Sequence, residues 1–139
     1  MDILVSVAAR VAVILLLVLV GFQVALAVGV PWGKAAYGGA SATLEPRLRI
    51  ASGIAAVVWA LVAWFFLSLG IPALAGPVPD SWNIVVLWVL VGLFAIATAM
   101  NGISRSRIER AIWMPVSAVL LVCALVIVFR IIGASTMAG

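Results

Sequence analysis

The chain has no histidine and a single cysteine, Cys123. The first absence removes the usual zinc ligand, the usual axial haem ligand and the usual proton shuttle. The second excludes an internal disulfide, a CxxC redox pair and a cysteine metal cluster. Acidic residues are scarce too: Asp2, Glu45, Asp80 and Glu109 are the only four. None lies within an apolar run, so a proton-coupled exporter built on a carboxylate at membrane depth is not expected. A Walker loop, a nucleophile elbow and a paired-acid motif are also missing. From these absences an enzyme is not expected, no cofactor or metal is implied, and catalytic residues are not assigned.

What the chain does have is apolar surface. Hydrophobic residues make up 68% and charged residues 9%, against roughly half and a quarter in soluble proteins. About 20 consecutive apolar residues cross a bilayer as a helix, and the chain holds four such runs. The first is interrupted only by Ser6, Arg10 and Gln23 and stops at Pro31-Trp32-Gly33, which places a helix over approximately 5–30. The second covers 44–71, with Thr43 as its N-cap, Pro46 in its first turn, and Gly70 and Pro72 at its end. The third covers 82–100, ended by a left-handed cap at Asn101-Gly102. The fourth covers 107–132, opened by a capping box at Ser106 and Glu109 and kinked at Pro115. The expected fold is all-α: one integral membrane domain over 1–139, with four transmembrane helices in an antiparallel up-down bundle. A leader-peptide reading of the first run, suggested by Ala25-Leu26-Ala27, is set aside because Arg10 lies inside the run instead of preceding it.

The charges are unevenly placed. Lys34, Arg47, Arg49, Arg105, Arg107 and Arg110, six of the eight basic residues, fall in or beside connections one and three. The positive-inside rule puts both connections in the cytoplasm and both termini outside it, in a multi-pass protein of the cell's inner membrane. Each basic cluster opens a helix, where unpaired backbone N–H groups favour an anion. These six residues are therefore candidate anionic-lipid contacts, each adding ~1 kcal/mol of attraction to anionic headgroups. The echo of Arg47-Leu48-Arg49-Ile50 in Arg105-Ser106-Arg107-Ile108 hints at a duplicated two-helix unit.

Polar residues inside the runs suggest two further features. Arg10, Asp80 and Arg130 form a candidate outer polar cluster, with snorkelling or pairing to Asp2 as alternatives for the arginines. Gln23, the only amide within a span, is a candidate for an interhelical hydrogen bond worth ~0.6–2 kcal/mol. Trp32, Tyr37, Trp82 and Trp113 sit where an interfacial aromatic belt would lie. The deeper Trp59, Trp64 and Trp88 need partners for their indole N–H groups. Small residues at spacing near four, as in Gly21, Ala25 and Gly29, or Gly92, Ala95 and Ala99, suit close helix packing.

Three segments together resemble a group of small bacterial four-helix membrane proteins without an assigned activity. They are Gly29-Val30-Pro31-Trp32-Gly33 with Gly38-Gly39, then Glu45-Pro46-Arg47-Leu48-Arg49, and Ser104-Arg105-Ser106-Arg107 with Glu109 and Pro115. The resemblance implies a bacterial inner-membrane protein and adds no mechanism. The expected function is that of a non-catalytic accessory or assembly component that binds anionic lipid at its basic loops. A small oligomeric channel or carrier for a solute or anion is the alternative. Expected partners are membrane lipids and either a membrane-protein partner or further copies of the chain; nucleic acid is not expected.

Overall fold

A computed structural model describes residues 2–137. Four helices dominate it: α1 over Ile3–Val28, α2 over Pro46–Gly70, α3 over Asn83–Gly102 and α4 over Arg107–Met137. Each contains a stretch long and apolar enough to cross a membrane. In hydrocarbon every backbone polar group needs an internal partner, and a continuous helix supplies one at each interior position. The chain is thus a multi-pass helical membrane protein. Consecutive helices run antiparallel; α1 packs along α2, α3 along α4, and α1 against α4. Around the bundle the order is α2, α1, α4, α3. α2 and α3 meet through rings rather than backbones: Trp59 stacks on Phe94 at 6.1 Å, and Phe66 lies 6.4 Å from the same ring.

The helix ends differ from the sequence reading where tertiary contacts intervene. α1 stops at Val28, because Gly29 takes the left-handed cap at φ 96 two residues before the proline corner. A guanidinium explains the glycine. A Cβ at Gly29 would lie 3.1 Å from Arg49 Cζ, and Arg49 Nε donates to the Ala27 carbonyl at 3.0 Å, a cation placed on the negative end of the α1 dipole. α2 starts at Pro46 with Glu45 as N-cap, so Thr43 does not cap it. Leu44 is instead drawn into a small satellite core with Leu26 and Ala36. The expected left-handed cap at Asn101-Gly102 is not formed: α3 continues through Gly102 and closes at Ile103 with φ −94. Pro115 lies inside α4, which extends to Met137.

The two halves of the bundle are filled differently. Toward the end that carries the 72–81 connection, Ala9, Ala12, Leu16, Phe65, Phe66, Leu87, Ile127 and Val128 are buried in one core. Small residues permit this closeness, since a Cβ on Gly70 would stand 3.1 Å from that of Ala9. The stripe of Gly92, Ala95 and Ala99 faces outward instead, and Gly21 has open space around it. The packing stripe on α1 is Ser6, Ala8, Ala9 and Ala12.

Candidate functional site

At the opposite end, which carries connections one and three, residues 29–45 fold into a cap. Two 3-10 turns, Gly33–Ala35 and Tyr37–Gly39, give it shape. Gly33 N–H donates to the Ala42 carbonyl at 2.7 Å, and a Cβ there would fall 2.5 Å from the Ser41 carbonyl oxygen, so only glycine fits. Tyr37, Gly38 and Gly39 have φ of 50, 76 and 70. A tyrosine in this left-handed region is uncommon. Its hydroxyl is anchored 3.0 Å from Ser52 Oγ on α2.

The start of α4 receives this cap. Ser106, the residue before α4, accepts from the Glu109 N–H at 3.2 Å and donates to the Lys34 carbonyl at 2.6 Å. Trp113 Nε1 donates to the Ala35 carbonyl at 2.9 Å. Glu109 is only 8% exposed, and both its oxygens lie 3.2 Å from the Gly38 N–H. The Ser104 hydroxyl also donates to it. Half of the expected capping box is therefore present. The reciprocal half is not, because Ser106 N–H turns to Ser104 Oγ at 3.1 Å and the carboxylate is left to hold the cap. No cation pairs with Glu109 among the described residues.

Beneath the cap lies a cavity of about 340 Å³. Its roof is Ala35, Ala36 and Tyr37, and its walls include Phe22, Ala55, Trp59, Phe94, Ala97, Trp113 and Leu120. Four polar side chains besides Tyr37 reach it: Gln23, Asn101, Glu109 and Ser117. Among the described residues Gln23 does not make the expected interhelical bond, and its Oε1 is buried without a partner. An unsatisfied buried acceptor costs about 1–3 kcal/mol.

The six basic candidates divide into two groups. Lys34 Nζ donates to the Gly39 and Ala40 carbonyls at 3.1 and 3.3 Å, Arg49 caps α1, and Arg110 donates to the Ser104 carbonyl. Arg47, Arg105 and Arg107 are exposed and have no partner among the described residues. A second hollow, an open apolar groove of about 710 Å³, runs between α1 and α4. Val18, Phe22, Ala25, Ile108 and Ile112 line it, and Trp32 and Lys34 stand at its rim.

At the other end the candidate cluster of Arg10, Asp80 and Arg130 is not assembled. Arg130 pairs with Asp2, the α1 N-cap, because α1 and α4 pack together. Asp80 opens a 3-10 turn, and its Oδ1 accepts from Asn83 Nδ2 at 3.2 Å. Arg10 is exposed and makes no polar contact among the described residues. The Arg130 guanidinium holds the Asp2 carboxyl below its ordinary value. Of the deeper tryptophans, Trp64 donates to the Ala75 carbonyl at 3.0 Å, Trp59 stacks on Phe94, and Trp88 sits edge-on to Phe129 at 6.4 Å.

Sequence reading did not find the Glu109 anchor or the cavity. The available signal was the pairing of a diglycine, Gly38-Gly39, with an acid on a helix start that no cation follows into the core. The fold and site define a small helical membrane protein with one close-packed half and one capped, hollow half. No protein-family model, curated protein or solved structure matches the chain.

Proposed function

We propose that this is a non-catalytic protein of the bacterial inner membrane whose basic end faces the cytoplasm and binds anionic lipid, as an accessory or assembly component. The division among the basic residues supports this most directly. Three guanidiniums, on Arg47, Arg105 and Arg107, are left exposed and, among the described residues, unpaired at helix starts, while the other three cations of that end are engaged by carbonyls. Exposed cations at the headgroup level attract anionic lipid at ~1 kcal/mol each. The groove along α1 and α4 suits an acyl chain, being apolar along its length with Trp32 and Lys34 at its rim.

Native mass spectrometry of the full chain with phosphatidylglycerol tests the reading. Replacing Arg47, Arg105 and Arg107 with glutamine is expected to strip most of the retained lipid, whereas Arg10→Gln leaves it in place. Unchanged retention in the triple variant would sink the proposal. A small oligomeric channel or carrier is the second reading, and the cavity between the helices favours it. Its close-packed half would have to open for a solute to pass, so flux into proteoliposomes that rises with Leu16→Ala would support it.

A further inference from the structure

The cavity under the cap is lined by hydrogen-bond donors that no other group accepts. The side-chain amides of Gln23 and Asn101 and the indole of Trp59 all line it, and none of their N–H groups is paired among the described residues. Of the unpartnered atoms on these three side chains only Gln23 Oε1 is shut away from any accessible surface. The two NH₂ groups and Trp59 Nε1 are therefore accessible, in a cavity that their own side chains line. Acceptors are scarcer there. Ser117 Oγ spends its proton on the Trp113 and Met114 carbonyls at 2.7 and 3.0 Å and keeps lone pairs, and Asn101 adds one amide oxygen. Glu109 already accepts from the Gly38 N–H and the Ser104 hydroxyl. This imbalance restricts what can fill the space. An anion would face the Glu109 carboxylate across a wall of low dielectric. A cation would face the positive ends of the unpaired N–H dipoles, with the carboxylate already holding the cap. An alkane would leave the N–H groups desolvated and unpaired, which is costly. A hydroxyl would bring another donor to a site that has too many, whereas a carbonyl brings acceptor lone pairs alone. The rest of the wall is apolar, with the rings of Phe22 and Phe94 in it, and belongs mostly to helices able to cross a membrane. A volume of about 340 Å³ is at the lower end for small-molecule pockets.

We propose that this cavity binds the neutral carbonyl group of a membrane-soluble molecule, its oxygen accepting from the N–H groups of Gln23, Asn101 and Trp59 and its apolar body lying against Phe22 and Phe94. The carbonyl belongs either to the ester of a membrane lipid or to a free carbonyl compound such as a quinone. This site is independent of the anionic-lipid reading, since it uses none of Arg47, Arg105 and Arg107.

Methyl octanoate, decane, octylammonium and octanoate, titrated into the full chain in uncharged maltoside micelles and compared at equal mole fraction, separate carbonyl recognition from simple filling. The readout is the indole N–H resonance of Trp59, assigned by Trp59→Phe. Methyl octanoate is expected to move it downfield and saturably, as a hydrogen bond to the carbonyl forms, with each of the other three at least about 10-fold weaker. Replacing Gln23 and Asn101 together with leucine should weaken methyl octanoate binding by about 10-fold. Neither side chain makes a hydrogen bond whose loss could unfold the protein, and an unmoved Trp64 indole resonance, from the bond to the Ala75 carbonyl, verifies the fold of the variant. The glutamine triple variant of Arg47, Arg105 and Arg107 should bind methyl octanoate like the unmodified chain, so the two proposals fail separately. Equal affinity for decane, a preference for octylammonium or octanoate, or a folded double variant with unaltered affinity would each overturn the site. Nanodiscs of ester-linked and ether-linked phosphatidylglycerol then identify the source. Weaker binding of methyl octanoate in the ester-linked discs points to a lipid ester, and equal binding to a free carbonyl compound; both uphold the carbonyl chemistry.

Discussion

The two ends of the bundle solve different problems with the same four helices. At the end with the 72–81 connection, alanines of α1 let α2 and α4 approach, aromatic and aliphatic side chains fill the middle, and polar chemistry is confined to the rim, where Asp2 meets Arg130. At the other end the helix termini are held apart by a folded connection, a carboxylate sits inside the protein wall, and about 340 Å³ stays unfilled. In lipid the hydrophobic effect gives no net drive for one helix to pack on another, so close packing and hydrogen bonds determine stability. The closed end is what a bundle needs to persist. The hollow end gives up packing contacts, and a stable protein keeps such a feature only when the other end compensates; functional sites are where local rules are broken in this way.

The largest expected effect tests that division directly. Phe66 is fully buried in the closed half, against Phe65 and Phe94. Phe66→Ala should destabilise by about 3–5 kcal/mol, the range for removing a buried aromatic from a packed core. Enlarging a side chain distinguishes the halves better. Ala12→Leu, at a position with no exposed surface, should cost about 1–3 kcal/mol by overpacking. Ala55→Leu projects into the cavity and should stay within about 0.5 kcal/mol of the parent, the usual range where nothing is displaced. Denaturation by dodecyl sulfate in mixed micelles measures all three. An Ala55→Leu variant as unstable as Ala12→Leu would mean that the hollow is not there.

Much of the closed half could be read in advance, because a membrane span is a one-dimensional signal: a run of apolar residues with breakers at its ends. The four helices and their antiparallel course follow from that. Their ends followed less well. Gly29, Leu44 and Gly102 are placed by Arg49, by the satellite core and by the absence of any need for a left-handed turn, and each of these depends on residues far away in sequence or on contacts between elements. The hollow half was illegible for the same reason. Glu109 looks local, the third residue of a helix with a serine cap, yet its hydrogen bond to Gly38 spans 71 positions. Gln23 illustrates the limit from the other side: a solitary amide stands out in an apolar run, but whether its oxygen finds a donor depends on which residues the other helices set opposite it. Likewise Arg10, Asp80 and Arg130 share an end of the bundle, but only the packing of α1 on α4 decides that Asp2 receives the arginine.

The cap supplies the second prediction. Glu109→Ala removes a charged acceptor from the Gly38 N–H and the Ser104 hydroxyl, and hydrogen bonds to charged groups contribute about 1.5–3 kcal/mol each. The expected result is local: a drop of about 2–3 kcal/mol in the protection of the 33–45 amides against hydrogen exchange, with Phe65 and Phe66 and their neighbours unaffected. Gly39→Ala should loosen the same amides by a different route. Its φ of 70 is unfavourable for alanine, and the new Cβ would stand 2.9 Å from that of Ser106. If both variants lose protection uniformly along the chain, the cap and the bundle form one cooperative unit and the contrast between the ends weakens.

The smallest effect belongs to the rim of the closed end. Asp2 accepts from the Leu4 N–H at 2.9 Å as the α1 N-cap and pairs with Arg130, and both partners lower its pKa, the arginine most. A carboxylate whose folded pKa lies below its unfolded one contributes stability that is complete above the unfolded value, here 3.8, and that fades as pH falls from there through the folded value. Stability of the parent chain should therefore decline below about pH 4 more than that of Asp2→Asn, the two curves converging at still lower pH. The pair is solvent-exposed, so the gap at neutral pH should be small and should shrink further in high salt. Arg130→Gln should remove the salt dependence while leaving the helix cap, because the Asp2 bond to Leu4 N–H does not require the guanidinium. A large, salt-insensitive loss in either variant would show that the closed end relies on this pair and that its packing is weaker than its buried residues imply.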